Sequence, residues 1–194
     1  MYMPRVAILF MSALALAATA SAAGSLHDAA AYLEAGEKEK AAAELVAYGR
    51  GDPAATLANQ ALDCVLLLYK KNVETEPLAA YVDTLALLAD GYAATADIVF
   101  RDMAGDGELP WPLRGRAVLL AADLNAAGDR VALLERAWGD CDDDTARLLG
   151  VALAEAYYKE GRTEEARGVR GAFQKRFPGD EGLKYFDYLK EESE

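Results

Sequence analysis

Apolar residues recur at helical spacing through most of the chain, and short polar or glycine-containing stretches separate the groups. In "RLLGVALAEAYYKEG", which ends at Gly161, the apolar positions form one face of a helix. The residues of this face are Leu148, Leu149, Ala152, Leu153, Ala156 and Tyr157. A second apolar face follows the glycine and comprises Ala166, Val169, Phe173 and Phe177. The pattern predicts two antiparallel helices joined by a sharp turn at Gly161.

The same periodicity predicts about ten helices along the chain. They are expected over 26–35, 37–48, 54–71, 75–89, 92–104, 113–127, 129–138, 144–160, 164–177 and 181–190. Thr75 and Thr163 stand where N-caps are expected, and aspartates precede Thr145 at the start of another helix. Alanine and leucine dominate the composition and β-branched residues are sparse, which favours helices over strands. The fold class predicted from these features is all-α.

A set of landmark residues recurs near the two ends of the chain. The landmarks are Tyr32, Gly36, Ala41 and Pro53 in one set, and Tyr157, Gly161, Ala166 and Pro178 in the other. In both sets the tyrosine and the alanine are nine positions apart, and the alanine and the proline are twelve apart. The glycines at 128 and 161 provide a further matched pair in the second half of the chain. This spacing indicates an internal repeat built from helix pairs.

The interval between these glycines is close to the period of about 34 residues that characterises the tetratricopeptide repeat family, which the chain resembles. The residues that match its pattern are Leu153, Ala154, Tyr157, Ala166 and Pro178. Gly150 and Arg170 depart from it, since the family often has tryptophan at the first position and a bulky aromatic residue at the second. The resemblance implies antiparallel helix hairpins stacked as a short right-handed superhelix, in one domain over 23–194. An irregular helical bundle is the alternative fold.

Residues 1–22 have the features of a secretory signal peptide. Arg5 precedes an apolar run from Val6 to Ala18, and small residues at 18, 20 and 22 provide cleavage sites. The run is shorter than the roughly 20 residues of a membrane-spanning helix. We expect cleavage near Ala22, no transmembrane segment afterwards, and export to the periplasm or the extracellular space.

The charge of the chain limits the class of partner. The full sequence has 20 Lys+Arg against 32 Asp+Glu, and removing Arg5 leaves 19 against 32, a net charge of −13. Such a surface repels phosphate backbones, so no nucleic-acid binding is expected. The charge favours a neutral or basic partner.

The residues needed for catalysis are sparse. His27 is the single histidine and lies beside the predicted mature N-terminus, which is a poor position for a general base. The segment "GDCDDD" at 139–144 lacks the central glycine and the closing glutamate of a calcium loop. We therefore predict a protein that is not an enzyme and that has no metal site and no cofactor.

Two functions are left open by the sequence. The preferred one is an exported, non-catalytic scaffold or adaptor that binds a protein or peptide, which is the role that the family resemblance implies. The alternative is a small-molecule-binding domain, or a helical accessory domain of an envelope enzyme. A deep, closed apolar cavity would favour the alternative, and an open groove would favour the scaffold.

The predicted binding face consists of two stripes related by the repeat interval. They are Val118, Ala122 and Asn125 on one helix, and Val151, Glu155 and Tyr158 on another. In a stacked array these stripes would lie on successive first helices, which resemble those that line the concave groove of tetratricopeptide arrays. In such an array Cys64 and Cys141 are too far apart in sequence to meet, so we predict that they are not bonded to each other.

Overall fold

The computed structural model of the chain describes residues 24–51, 55–124 and 129–193. The predicted signal peptide, Pro53, Asn125 and Gly128 lie outside these ranges. The helices are α1 (Leu26–Glu34), α2 (Lys38–Gly51), α3 (Ala55–Tyr69), α4 (Thr75–Ala89), α5 (Ala93–Gly105), α6 (Trp111–Leu124), α7 (Asp129–Asp140), α8 (Asp143–Lys159), α9 (Thr163–Arg176) and α10 (Gly182–Ser193). The described part of the chain contains these ten helices and no strand, which confirms the all-α prediction.

The first residues of the helices confirm one predicted N-cap and show that two others were wrong. Asp142 precedes α8, and its side chain accepts a hydrogen bond of 2.8 Å from the Thr145 amide, as the sequence suggested. Thr75 and Thr163 are not caps, because each is the first residue of its helix. The residue before each threonine holds the N-cap position, and its side chain makes no cap hydrogen bond.

The turns at Gly36 and Gly161 have the same geometry. Both glycines have positive φ, 74° and 73°, which is the left-handed region that glycine adopts without strain. After each glycine, the next amide bonds to a tyrosine carbonyl five residues back, Glu37 to Tyr32 at 2.8 Å and Arg162 to Tyr157 at 2.9 Å. This is the Schellman arrangement of a helix C-terminus. The recurring landmarks therefore specify one particular helix-ending turn.

The chain divides into two compact units, and the first ends at Asp90. In this unit α1 packs on α2 and α4, α2 packs on α3, and α3 packs on α4, so the four helices close a ring. Leucines and alanines fill the interior together with Tyr81, whose hydroxyl donates to Gln60 Oε1 at 2.9 Å. Cys64 is buried in this unit and forms no disulfide.

The second unit begins at Gly91 and comprises α5 to α10. Consecutive helices pack on each other from α5 to α10, and α8 also contacts both α6 and α10. Contact between alternate helices is the neighbour pattern of stacked helix pairs. Phe173 lies at 5.0 Å from both Phe177 and Phe186, measured between ring centroids, and this cluster joins α9 to α10.

The packing of α8 follows the predicted face except at Leu148 and at Ala152, which is half-buried. Leu149, Leu153 and Tyr157 are buried, and the Tyr157 hydroxyl donates to a carboxylate oxygen of Glu135 on α7. Leu148 was assigned to the same face but is 39% exposed. It precedes Leu149 by one residue, a rotation of about 100° around the helix, which turns it out of the core.

Gly150 lies on the buried side of α8 and leaves space for a neighbouring aromatic side chain. The Trp138 indole of α7 occupies that space and donates from Nε1 to the Ala146 carbonyl at 3.1 Å. Cys141, directly after α7, is also buried, and the two cysteines form no disulfide with each other, as predicted. Within the described residues, no helix is long and apolar enough to cross a bilayer.

Candidate functional site

The predicted binding face is divided by the fold of the second unit. Val151 and Glu155 of α8 are half-buried and border an open groove. Tyr158 is also half-buried but does not border this groove. Asn125 lies outside the described residues.

The prediction was wrong for Val118 and Ala122, the two described residues of the predicted stripe on α6. They are 1% and 0% exposed, so neither offers a protein partner a surface to bind. The reason is that α6 packs against α5, α7 and α8, and a helix covered by three neighbours has little surface left. A stripe chosen by its offset from α8 therefore falls in the core.

The groove runs along α8 and is bordered by Leu119 of α6. Its floor is apolar and consists of Leu119 from α6 with Leu148, Val151 and Ala152 from α8. Asp144, Arg147 and Glu155 form its rim, and its volume is about 500 Å³. The Leu148 side chain is 39% exposed and therefore presents apolar surface to solvent in the floor of the groove. The groove is shallow and open along its length.

The charged rim is held by ion pairs. Arg147 Nε lies 2.8 Å from Asp180 Oδ2, and its Nη1 lies 3.3 Å from Asp144 Oδ1. The guanidinium also lies over the Phe177 ring, at 4.3 Å from the centroid. The amide of Gly182 and the Arg147 guanidinium together hold the pKa of Asp180 below its usual value. Arg147 therefore keeps one orientation at the end of the groove, and its charge is matched by carboxylates.

At the other end of the rim, Glu155 Oε1 accepts from Lys159 Nζ at 2.5 Å, one helical turn away. Exposed pairs of this kind contribute little to stability, so the glutamate can exchange its lysine for a cation of a ligand at small cost. The groove thus combines an apolar floor with a carboxylate that is available at its edge.

Metal-ligating side chains do not converge in the part of the chain that is described. No three His, Cys, Asp or Glu side chains there could hold a metal ion together. His27 belongs to the first unit, where Nε2 lies 2.9 Å from Asp90 Oδ2 and Nδ1 lies 3.6 Å from Asp83 Oδ1. The hydrogen bond to Asp90 is the main reason why the pKa of His27 is raised above its ordinary value.

No known protein family, curated protein or solved structure matches this chain. The fold and the geometry of the groove are therefore the basis for any functional proposal.

Sequence reasoning missed three of the four floor residues of the groove, Leu119, Leu148 and Ala152. Leu119 and Ala152 are separated by the repeat interval of 33 residues, so the offset does relate two groove residues, but the predicted stripe on α6 started one residue too early, at the buried Val118. Because Leu148 and Ala152 were assigned to the core, the stripe chosen as exposed was shifted around the helix. The apolar face of α8 is wide, and Leu148 lies at its edge. An apolar residue at such an edge can be exposed, and this feature could have indicated the groove.

Proposed function

We propose that this protein is a non-catalytic interaction protein, and that the groove between α6 and α8 binds an extended segment of a partner protein. The observation that carries the proposal is the open apolar floor formed by Leu119, Leu148 and Val151. A shallow groove along a helix suits a peptide, whose successive side chains can each contact the floor. The tetratricopeptide-like arrangement of helix pairs and the export predicted from residues 1–22 belong to the same proposal.

The charge of the chain supports a particular kind of peptide. The sequence carries a net charge of −12, and Asp144 and Glu155 stand on the rim of the groove. A peptide with two apolar side chains and a neighbouring Lys or Arg would cover the floor and pair with Glu155. We therefore propose a basic, apolar segment of a partner protein as the occupant.

The alternative function, binding of a small apolar molecule, is less well supported at this groove. Small-molecule sites usually bury most of the ligand surface within a concave cavity. The groove is open, so a small apolar ligand would remain largely in contact with water. The alternative would require a more enclosed site elsewhere in the chain.

The test is selection of short peptides from a random displayed library with the purified chain, followed by affinity measurements on the selected sequences. Fluorescence anisotropy then compares the wild-type chain with Leu148→Arg and with Leu66→Arg. Leu66 is a matched control, because it is an exposed leucine, 51% accessible, on α3 of the first unit. Both variants add one positive charge to an exposed position, so thermal unfolding is expected to be nearly unchanged.

We expect selected peptides that are rich in apolar and basic residues, and Leu148→Arg to weaken their binding by about tenfold or more. Leu66→Arg should bind as the wild type does. Equal affinity for Leu148→Arg and the wild type would exclude the groove as the binding site. Selection of acidic peptides would contradict the proposed electrostatic match.

A further inference from the structure

A second concave site lies between α5, α6 and α7 in the second unit, away from the residues of the groove. It has a volume of about 260 Å³ and is more enclosed than the groove. Its charged lining residues are Arg101, Arg114, Arg136 and Asp140. Its apolar lining includes Trp111, Val118 and Leu133. Three of the four charged lining residues are therefore arginines, although the chain as a whole has a net charge of −12.

Two of these arginines have no carboxylate partner among the described residues. Arg101 is paired with Asp97 and Asp129, each at 3.1 Å. The Arg114 side chain instead contacts a backbone carbonyl and an aromatic ring, and Arg136 is exposed and forms no ion pair within the described ranges. Acidic residues outnumber basic ones by 32 to 20, so most arginines find a carboxylate. Two unmatched guanidinium groups at one pocket therefore favour an anion as its ligand.

The Arg114 guanidinium is held in one orientation. Its Nε and Nη2 donate to the Ala104 carbonyl at 3.4 and 3.2 Å, and its carbon lies 4.0 Å from the Trp111 ring centroid. A guanidinium has five N–H donors, so donors remain beyond those two bonds. Because Ala104 lies in the last turn of α5, the same bonds also satisfy a carbonyl that has no partner within the helix. A fixed guanidinium binds an anion with little loss of side-chain freedom.

We propose that this pocket binds a small organic monocarboxylate with an apolar or aromatic body. The carboxylate would pair with Arg114 and Arg136, and the body would lie against Trp111 and Leu133. Asp140 also lines the pocket and would repel a second negative group, which favours a monoanion over a dianion. The volume is slightly below the roughly 300 Å³ at which drug-sized pockets begin, so the ligand is small. This proposal does not depend on peptide binding in the groove.

The test uses 3-phenylpropionate as the probe and 3-phenylpropionamide as its neutral counterpart, added to the purified full chain. The sequence has two tryptophans, so an NMR spectrum shows two indole N–H signals. Trp111 lies in the pocket, whereas the Trp138 N–H is bonded to the Ala146 carbonyl. The Trp111 signal should shift with 3-phenylpropionate, and the Trp138 signal should serve as the internal reference. Trp111→Phe assigns the two signals.

Arg136→Gln is the decisive variant, since the exposed Arg136 side chain makes no hydrogen bond or ion pair within the described residues whose loss would destabilise the fold. We expect it to weaken 3-phenylpropionate binding by about tenfold or more while the melting temperature stays unchanged. Arg167→Gln is the control for loss of an exposed arginine outside the pocket and should bind as the wild type does, although it also removes an exposed ion pair with Glu164. Arg114→Gln should also lose binding, but it removes a contact with α5 and so affects stability as well.

Three results would overturn the proposal. They are the absence of any Trp111 shift with ~10 mM 3-phenylpropionate, an equal shift with the amide, and unaltered binding by Arg136→Gln. An equal response to the amide would mean that the apolar lining alone recognises the probe. Unaltered binding by Arg136→Gln would assign the arginines a purely structural role.

Discussion

In the first unit the fourth helix returns to the first, whereas in the second unit alternate helices contact each other along the chain. Both units nevertheless contain the same helix hairpin. Its first helix ends in a turn at Gly36 or Gly161, and the amide after the glycine bonds to the carbonyl of Tyr32 or Tyr157. The recurring landmarks therefore encode the hairpin and not the way in which hairpins associate. Each helix packs within its own hairpin through one apolar face. How hairpins associate depends on whether the helix has a further apolar face and on which side chains pack against that face.

The two interiors are filled by different residues. In the first unit the large, fully buried side chains are leucines and Tyr81. In the second unit Phe100, Phe173 and Phe186 are fully buried, and Tyr157 and Phe177 are nearly so. Aromatic side chains bury more surface than aliphatic ones, so truncations in the second unit are expected to cost more. This difference between the two units leads to the predictions that follow.

The largest expected effect comes from the equivalent tyrosines of the two hairpins. Tyr157 is 4% exposed, so Tyr157→Ala should destabilise the chain by about 3–5 kcal/mol. Tyr32 is half-buried, and Tyr32→Ala should cost about 1–2 kcal/mol. Urea denaturation followed by circular dichroism measures both. Tyr158→Ala, one residue on in the same helix and half-buried, is the control for α8 and should resemble Tyr32→Ala.

Equal losses at Tyr157 and Tyr32 would contradict the contrast between the two units. Equal losses at Tyr157 and Tyr158 would mean that the buried face of α8 is not the one seen in the structure.

The helices and their turns could be predicted from the sequence because they depend on local spacing. The apolar period fixes each helix, and the glycines at 36, 91 and 161 all have positive φ. The closed ring of the first unit could not be predicted, because α2 and α3 separate α1 from α4 along the chain and no local pattern links them. Long-range pairing of this kind is decided by tertiary packing, which overrides local preferences.

The groove was partly predictable and partly not. Val151 and Glu155 of the predicted stripe border the groove, because their positions on α8 turn them away from the side of the buried Leu153. Val118 was wrongly assigned, since the number of neighbours around α6 cannot be obtained from its own periodicity. The sequence did not indicate Arg114 and Arg136 as candidate ligand-binding residues, because an arginine without a carboxylate partner can be recognised only in the folded structure.

A medium effect is expected at Gly150, where the second unit depends on close approach of aromatic rings. A Cβ there would lie 2.9 Å from Trp138 Nε1 and 3.0 Å from Phe173 Cδ2, closer than packed atoms tolerate. Gly150→Ala should therefore destabilise by about 1–3 kcal/mol in spite of the helix preference of alanine. Gly168 is the control in α9, because a Cβ there meets no atom within 4 Å.

Gly168→Ala should stabilise the fold by about 0.5–1 kcal/mol, because alanine has the higher helix propensity and loses less backbone freedom on folding, while its Cβ meets no neighbour. Thermal unfolding of the two variants gives the comparison directly. Stabilisation by both alanines would show that Trp138 and Phe173 can move aside, and that the aromatic packing of the second unit is looser than its geometry indicates.

The smallest effect concerns the closure of the first unit, where His27 of α1 contacts Asp90 just after α4. The hydrogen bond to Asp90 raises the pKa of His27 in the folded chain above the unfolded value of about 6.5. The contact therefore stabilises the fold fully below pH 6.5 or so, and the contribution is lost as the pH rises through the folded pKa. The side chain is 55% exposed, so the contribution is expected to be well below about 1 kcal/mol.

His27→Gln isolates this contribution, because His27 is the single histidine of the chain. The difference in melting temperature between the wild type and the variant should be largest below about pH 6.5 and should shrink as the pH rises above that value. Hydrogen exchange should locate the loss in the amides of α1 and α4 and leave those of α8 and α9 unchanged. A difference that is constant with pH would mean that the imidazole contributes by packing alone. A difference that grows at high pH would contradict the sign of the pKa shift, and with it the role of this ion pair in closing the ring.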